Sequence, residues 1–257
     1  MGPRAHSGPG DLTEWGPGTD LRAGMLRYPT RLLAGADDPP KGDNVRRLRL
    51  LFLPLLAAVA LPAAAQEFER PEDWKVRFDR AGSTEADLEM FVEMPPGWHI
   101  TTGPSGIFWD PGLTASGRFR IEMEVFLFDP GTRREAFGLF FGGTDLEGPD
   151  QAYTYFLIRN GGESIIKQRQ GAEAPTLQPW TANEAILSFA DRGEDASVRN
   201  ILAVDCGANS CDFSVNGEEV GSVPRESLAT DGTVGIRVNH ALNLHISRLD
   251  VDVMPVG

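Results

Sequence analysis

The sequence is poor in cysteine and histidine, and its later three quarters contain no long apolar run. Only two of the 257 residues are cysteine and four are histidine. Two thiols are too few ligands for a cysteine-based metal site. No histidine stands in a nucleophile motif such as G-x-S-x-G, so no catalytic triad is predicted. No stretch after Gln66 approaches the roughly 20 apolar residues that cross a bilayer.

Positive charge is also scarce. The chain has 24 Lys and Arg against 37 Asp and Glu, which gives a net charge of −13. From Gln66 onward 16 basic and 31 acidic residues remain, which leaves −15. Such a surface repels nucleic acid phosphates and anionic lipids, so neither is an expected partner. The simplest reason for this acidity is solubility.

A segment near the N-terminus has the layout of a secretory signal peptide. Three arginines precede an apolar run that ends in small residues: Arg46, Arg47, Arg49, residues 50–61, Pro62, Ala63, Ala64 and Ala65. The run is too short to span a bilayer comfortably, and its end fits an A-x-A cleavage site. We predict a signal peptide over 45–65 and a mature start at Gln66. The protein is then exported, periplasmic or extracellular, with no membrane anchor after cleavage.

Residues 1–44 are rich in Gly, Pro, Asp and Arg and show no periodic apolar pattern. This composition predicts disorder. The alternative is a mis-assigned upstream segment, with translation starting at Val45 or Met25. Residues 66–257 have the length of one domain.

The dominant pattern after Gln66 is the alternation of apolar and polar residues, as over 119–127. This period is typical of half-buried strands. Further strands are predicted at 74–78, 88–94, 136–141, 153–159, 163–169, 186–189, 201–204, 213–215, 219–223, 234–238, 242–246 and 249–253. The apolar phase changes across Ser247-Arg248, which predicts a bulge. No segment has a helical period, so we predict an all-β, antiparallel, two-sheet jelly-roll sandwich.

The two cysteines lie in a predicted hairpin. Cys206 and Cys211 are separated by four residues and flanked by the apolar segments 201–204 and 213–215. In an oxidising compartment they are expected to form a disulfide. The next turn contains Asn216-Gly217, the dipeptide that favours a type I′ hairpin.

Several segments occur in the order found in a known group of proteins. They are residues 119–128, Phe137-Gly-Leu-Phe-Phe-Gly-Gly143, residues 153–158, the hairpin 201–217 and Asp231-Gly-Thr-Val-Gly-Ile-Arg-Val238. Together they resemble secreted concanavalin A-like (laminin G-like) jelly rolls, most of all the bacterial 3-keto-disaccharide hydrolase domain family. The resemblance spans 91–253 and its motifs are structural, so it implies a fold more than a chemistry.

The candidate catalytic residues are Glu122 and Glu124. They point to the same side of a predicted strand, with side chains about 6 to 7 Å apart, a separation that glycosidases use. The Glu-x-Asp-x-x-Glu pattern of jelly-roll glycoside hydrolases is absent. The alternative is a solvent-facing strand in which Arg120 pairs with these carboxylates.

The candidate binding residues combine aromatic rings with planar or cationic groups: Trp109, Tyr153, Tyr155, Arg159, Lys167, Arg169 and His240. Tyr153 and Tyr155 share one strand face, and Lys167 and Arg169 share one face of the next strand. Rings and planar side chains of this kind bind sugars, so a mixed patch on a concave sheet is expected to hold a glycan or small sugar. The alternatives are that the rings fill the core and that His240 has a structural role in a loop.

No cofactor is predicted. Calcium is the one metal that the sequence suggests, because Asp145, Glu147 and Asp150 lie in a glycine-rich loop, although their spacing does not match an EF-hand. Three functions therefore remain open: a carbohydrate-binding domain, a hydrolase or lyase acting on a modified disaccharide or glycoside, and a structural or partner-binding envelope protein.

Overall fold

The structure is a computed structural model that describes residues 69–255. The predicted signal peptide, the mature start at Gln66 and the segment 1–44 lie outside the described residues. Within the described range the chain forms fourteen strands: β1 (Lys75–Phe78), β2 (Leu88–Glu93), β3 (Trp98–Thr102), β4 (Gly106–Ala115), β5 (Arg118–Phe128), β6 (Ala136–Thr144), β7 (Ala152–Arg159), β8 (Glu163–Gln170), β9 (Thr176–Ala182), β10 (Ser197–Cys206), β11 (Ser210–Val215), β12 (Glu218–Pro224), β13 (Gly232–Val238) and β14 (Leu242–Met254). Three short 3₁₀ helices lie between strands, at Glu85–Asp87, Phe189–Arg192 and Arg225–Ser227.

The strands form two seven-stranded antiparallel sheets. Sheet A has the order β1-β4-β13-β6-β7-β8-β9, and sheet B has the order β12-β11-β10-β5-β14-β3-β2. The predicted two-sheet antiparallel sandwich is confirmed. No helix in the range 69–255 is long and apolar enough to cross a membrane.

Alternation along β5 shows how the sequence separates core from surface. Its inward residues are buried with 0 to 1% of their surface exposed: Phe119, Ile121, Met123, Val125 and Leu127. Full burial of one such side chain contributes about 1.5 to 3 kcal/mol. The same period turns Glu122 and Glu124 away from the core.

Three local predictions are confirmed: a turn, a bulge and a disulfide. Asn216 and Gly217 have φ values of 53° and 88°, as a type I′ turn requires, and they join β11 to β12. The register between β14 and β5 shifts between Ile246 and Arg248, which is the predicted bulge. Cys206 and Cys211 are cross-strand partners at the tip of the β10–β11 hairpin and form the predicted disulfide.

The strand predicted at 186–189 is wrong. Asn200 accepts a hydrogen bond from the Leu187 N–H and donates one to the Leu187 carbonyl, so this segment bonds to a side chain instead of a strand. Ser188 then precedes the short helix Phe189–Arg192. The N–H and the hydroxyl of Ser188 both donate hydrogen bonds to the Asp191 carboxylate. Local bonds of this type compete with a sheet ladder.

Three observed strands, β3, β4 and β9, were not predicted. Pro111-Gly112 interrupts the apolar pattern of β4. β9 is the edge strand of sheet A and is mostly exposed, and it tolerates Pro179 because one side of an edge strand needs no hydrogen-bond partner.

Candidate functional site

A second apolar layer lies on the outer face of sheet A, separate from the sandwich core. It consists of the buried residues Ile107, Trp109, Ala136, Phe140, Leu146, Tyr153, Tyr155, Leu157 and Ile165, with Trp180 packed at its border. Outer sheet faces in sandwiches are usually polar and hydrated. Here the loop 145–151 covers part of the face, because Leu146 joins this layer and is 6% exposed.

Arg237 of β13 is a charged side chain buried at this layer. Its neighbours Ile236 and Val238 point into the sandwich core, whereas Arg237 points outward and is only 7% exposed. Its guanidinium donates to both carboxylate oxygens of Asp79, with Nη1–Oδ1 at 3.2 Å and Nη2–Oδ2 at 2.6 Å. Nη1 also donates to the Tyr153 hydroxyl at 3.0 Å. A buried ion pair of this kind is costly to build, so its position is informative.

The remaining surroundings of Arg237 are aromatic or unpartnered. Its Cζ lies 4.9 Å from the centroid of the Tyr155 ring, within cation–π range. Its Nε is buried and has no hydrogen-bond partner among the described residues. Gly235 lies two positions before Arg237 on β13, and its lack of a side chain leaves room for the Phe140 ring. A Cβ at this position would lie 2.5 Å from that ring and 2.4 Å from the Phe108 carbonyl oxygen.

Burial and charge act in opposite directions on these groups. Burial raises the pKa of the Tyr153 and Tyr155 hydroxyls, and the Arg237 charge partly opposes that rise. Burial lowers the pKa of Arg237, but its interactions with Tyr153 and Asp79 outweigh this and raise that pKa above its ordinary value. Arg237 therefore stays cationic and both tyrosines stay protonated at neutral pH.

A cleft of about 440 Å³ opens beside this network. It is lined by residues 76–85, which include the end of β1, together with Gln151 and Arg169. Arg77 donates through Nη1 to the carbonyl oxygens of Leu146 and Gly148, both at 2.6 Å, and so attaches the loop 145–151 to β1. Arg169 donates through Nε to the Gly171 carbonyl at 2.7 Å. The cleft thus brings together guanidinium, amide and carboxylate groups.

The structure corrects the expected position of three aromatic rings. The sequence places Trp109, Tyr153 and Tyr155 on an open patch, but they are only 3%, 1% and 6% exposed. They lie beneath the surface because the loop 145–151 and Arg237 pack against their layer. Whether they contribute to binding stays a prediction.

The predicted cationic residues of sheet A have different surroundings. Lys167 is the register partner of Tyr155 on the same outer face and is half-buried. Arg159 lies 4.0 Å from the centroid of Trp180 and pairs with Glu163 at 2.8 Å. Of the predicted set, Arg169 is the residue that lines the cleft.

Glu122 and Glu124 lie on the outer face of sheet B. Tyr155 lies on sheet A, so the two glutamates and the aromatic layer are on different sheets. Glu122 pairs with Arg120 at 2.8 Å, as the alternative interpretation predicted, and also with Arg248. Glu124 accepts hydrogen bonds from Arg199 at 2.7 Å and from the Ser247 hydroxyl at 3.0 Å. The bond from Arg199 is the main reason that the pKa of Glu124 is lowered. A lowered pKa keeps a carboxylate ionised, whereas a general acid needs a raised one.

His240 lies in the turn between β13 and β14, as predicted. Its ring nitrogens are 3.0 and 3.3 Å from the Ser105 hydroxyl, and Nδ1 is 3.6 Å from Glu135 Oε2. Ser105 is only 4% exposed, and the Ala241 N–H donates to the Gly103 carbonyl beside it. These contacts connect the turn to the β3–β4 loop, which is the structural role weighed from the sequence.

The other two histidines of the domain lie together on sheet B. His99 and His245 are cross-strand partners with ring centroids 6.1 Å apart, and Phe126 and Phe128 border them. Burial lowers the pKa of both rings, although a hydrogen bond with Asn243 partly opposes this for His99. Both are therefore neutral at neutral pH.

A larger cleft of about 830 Å³ lies over sheet B, where residues 184–197 approach Phe126 and Ile201. Size alone favours it, and its lining carries charges of both signs, from Glu184, Asp191, Arg192, Asp195 and Arg199, of which two bond to other side chains. Arg199 bonds to Glu124, and Asp191 bonds to Ser188. We place the candidate site on sheet A, because the cleft there lies beside a buried ion pair.

The predicted calcium ligands do not converge. Asp145 accepts a hydrogen bond from the Asp150 N–H at 2.9 Å, and Glu147 pairs with Lys75 at 2.8 Å. In the part of the chain that the structure describes, no three His, Cys, Asp or Glu side chains are grouped to hold a metal ion. Calcium stays a suggestion from the sequence, beside the alternative of a solvated acidic loop.

Comparison with solved structures shows the same fold. The chain is similar to carbohydrate-binding module CBM66 from Bacillus subtilis, with a TM-score of 0.51 and 9% identity over 70% of this chain and 95% of that one. It is similar to a Bacillus subtilis protein of unknown function with a galectin-like fold, with a TM-score of 0.50 and 12% identity over 70% and 89%. A Bacteroides ovatus GH16 protein in complex with a G4G4G3G product gives a TM-score of 0.50 and 11% identity over 72% and 97%. No family model and no curated protein matches the sequence. At these identities the likeness establishes a concanavalin A-like jelly roll and no activity.

Proposed function

We propose that this protein is an exported carbohydrate-binding β-sandwich that holds its ligand in the cleft over the outer face of sheet A. The observation that carries the proposal is the buried network of Arg237, Asp79 and Tyr153 beside that cleft. Burying a guanidinium costs several kcal/mol before its partners compensate. Since the two sheets are held together by the sandwich core, this ion pair on the outer face is not needed to form the fold. A network that fixes polar groups at the edge of a cleft is typical of a binding site.

The groups at the cleft suit a sugar. Sugars are bound by a few planar hydrogen-bonding side chains, and Arg77, Gln151 and Arg169 are of this type. β1 and β8 are five strand steps apart, or about 24 Å on a flat sheet with strands about 4.8 Å apart. Arg169 of β8 nevertheless lines one cleft with residues 79–85, because the segment that follows β1 extends over the sheet face as far as Arg237 of β13.

The fold neighbours and the disulfide support the same proposal. One neighbour is a carbohydrate-binding module, and another was determined with a saccharide product. The Cys206–Cys211 disulfide is compatible with an oxidising compartment outside the cytoplasm, as the predicted signal peptide requires. Catalysis on a modified disaccharide is the weaker alternative, because Glu122 and Glu124 are both paired with arginines on the outer face of sheet B, away from the cleft over sheet A.

A glycan array followed by incubation of each bound glycan tests the proposal. We expect binding without release of product, and loss of binding in Arg169→Ala. Glu124→Gln is the matched control on the opposite sheet and should bind as the wild type does. Product formation that disappears in Glu124→Gln would establish the hydrolase instead. Failure of the wild type to bind any glycan would contradict the proposal.

A further inference from the structure

We infer that the ligand of the sheet A cleft is an anionic saccharide, one that carries carboxylate or sulfate groups. This inference rests on the proposed function and adds the ligand's charge to it. It comes from a count of the charges that line the cleft. Five charged side chains line it: Arg77, Asp79, Arg80, Glu85 and Arg169.

Both carboxylates at the cleft already have a cationic partner that does not line it. Asp79 is bonded to Arg237 on two oxygens. Glu85 pairs with Arg70 at 2.8 Å. Three lining arginines and two lining carboxylates give +1, and these two partners raise the local sum to +3.

The three lining arginines lack carboxylate partners. No Asp or Glu within residues 69–255 forms a salt bridge with Arg77, Arg80 or Arg169, using a limit of 4.0 Å. Arg77 and Arg169 bond to backbone carbonyl oxygens, which orient a guanidinium without neutralising its charge. Arg80 is exposed.

The arrangement contrasts with the rest of this acidic protein. On the outer face of sheet B most arginines are paired, as Arg120 is with Glu122 and Asp205 and Arg199 is with Glu124, whereas Arg118 is exposed and forms no salt bridge within residues 69–255. Asp145 and Asp150 on the loop next to Arg77 are exposed and do not line the cleft. Within residues 69–255 of this acidic chain, seven Lys and Arg side chains form no salt bridge, and three of them line this one cleft.

Guanidinium groups suit carboxylate and sulfate because their N–H donors form paired, charge-assisted hydrogen bonds. The anion also replaces the missing counter-charge of the three arginines. A neutral sugar of the same shape would provide hydrogen bonds only. The cleft should therefore select for negative charge on the saccharide.

The test compares one saccharide with and without its charge. Calorimetric titration of the purified protein would use an oligogalacturonate, the methyl ester of the same oligosaccharide, and a sulfated oligosaccharide that lacks carboxylates. We expect at least one anionic ligand to bind about tenfold or more tightly than the methyl ester, and to weaken as salt is raised. The two anionic ligands distinguish carboxylate from sulfate.

Arginine variants show where the selectivity resides. The double variant R80Q/R169Q should lose most of the preference for the anionic ligand over the methyl ester, because only Arg77 remains, whereas R118Q, which removes an exposed arginine from sheet B, should keep the preference. If neither anionic ligand binds the wild type more tightly than the methyl ester does, the inference is overturned and the proposed function is left intact. Binding of no saccharide, charged or neutral, would overturn both.

Discussion

The buried ion pair of Arg237 and Asp79 predicts an asymmetric response to mutation. Asp79→Asn removes the counter-charge and leaves a guanidinium that is 7% exposed. Removing one partner of a buried pair usually costs about 3 to 5 kcal/mol. The Asp79 side chain is 33% exposed, so water at the cleft screens the remaining charge, and we expect a loss of about 3 kcal/mol.

Arg237→Met should lower the free energy of unfolding by less than Asp79→Asn does, although it replaces the larger side chain. The methionine retains an apolar stem, and the Asp79 carboxylate that remains is hydrated at the cleft. The main loss is the hydrogen bond at the Tyr153 hydroxyl, worth about 1 kcal/mol. The double variant should be about as stable as Arg237→Met alone, because the unpaired charge is gone.

Urea unfolding followed by tryptophan fluorescence measures all three variants, with the disulfide intact. The free energy of unfolding is reliable if a second probe, such as circular dichroism, gives a coincident transition. The reasoning fails if Asp79→Asn is as stable as the wild type, or if Arg237→Met is the more damaging change. Either result would mean that the guanidinium is not buried as described.

Three other predictions concern sheet B and the disulfide. Replacing Cys206 and Cys211 together by serine should lower the free energy of unfolding by about 2 kcal/mol, because the disulfide closes a short loop, and an unchanged urea midpoint would contradict this. Burial lowers the pKa of His99 and His245, so the unfolded state takes up protons first and stability falls as pH drops below about 6.5. A variant with both histidines changed to glutamine should lose less stability on acidification, and an identical pH profile would be evidence against the effect. Glu124 has a lowered pKa, so its contribution to stability is present above the unfolded carboxyl pKa and lost as pH falls through the folded one. Glu124→Gln should reduce this acid sensitivity, and a wild-type profile would refute the pairing.

The fold was predictable because the alternation of apolar and polar residues can be recognised within a single strand, without knowledge of its neighbours. The apolar set of β5, from Phe119 to Leu127, is the buried set, and the phase change at Ser247 is the observed bulge. Strands that depart from alternation were missed. β4 contains a proline and a glycine, and β9 lies at an exposed edge.

The candidate site was predictable only in part, because it depends on contacts between distant segments. Arg169 lines the cleft, but Asp79 was not singled out, and it lies 158 positions from its partner Arg237. The available signal was an arginine in the apolar alternation of β13, two positions after a strand glycine. Local patterns also do not show that a loop covers Tyr153 and Tyr155, which changes their surroundings from open to buried.

Amide chemical-shift mapping tests the central claim that the ligand binds on the outer face of sheet A. The ¹⁵N-labelled protein would be titrated with the best ligand from the array or the calorimetry. We predict that the largest shift changes fall in residues 76–85 and at Gln151 and Arg169. Changes concentrated around Phe126 and Arg199, over sheet B, would contradict the claim.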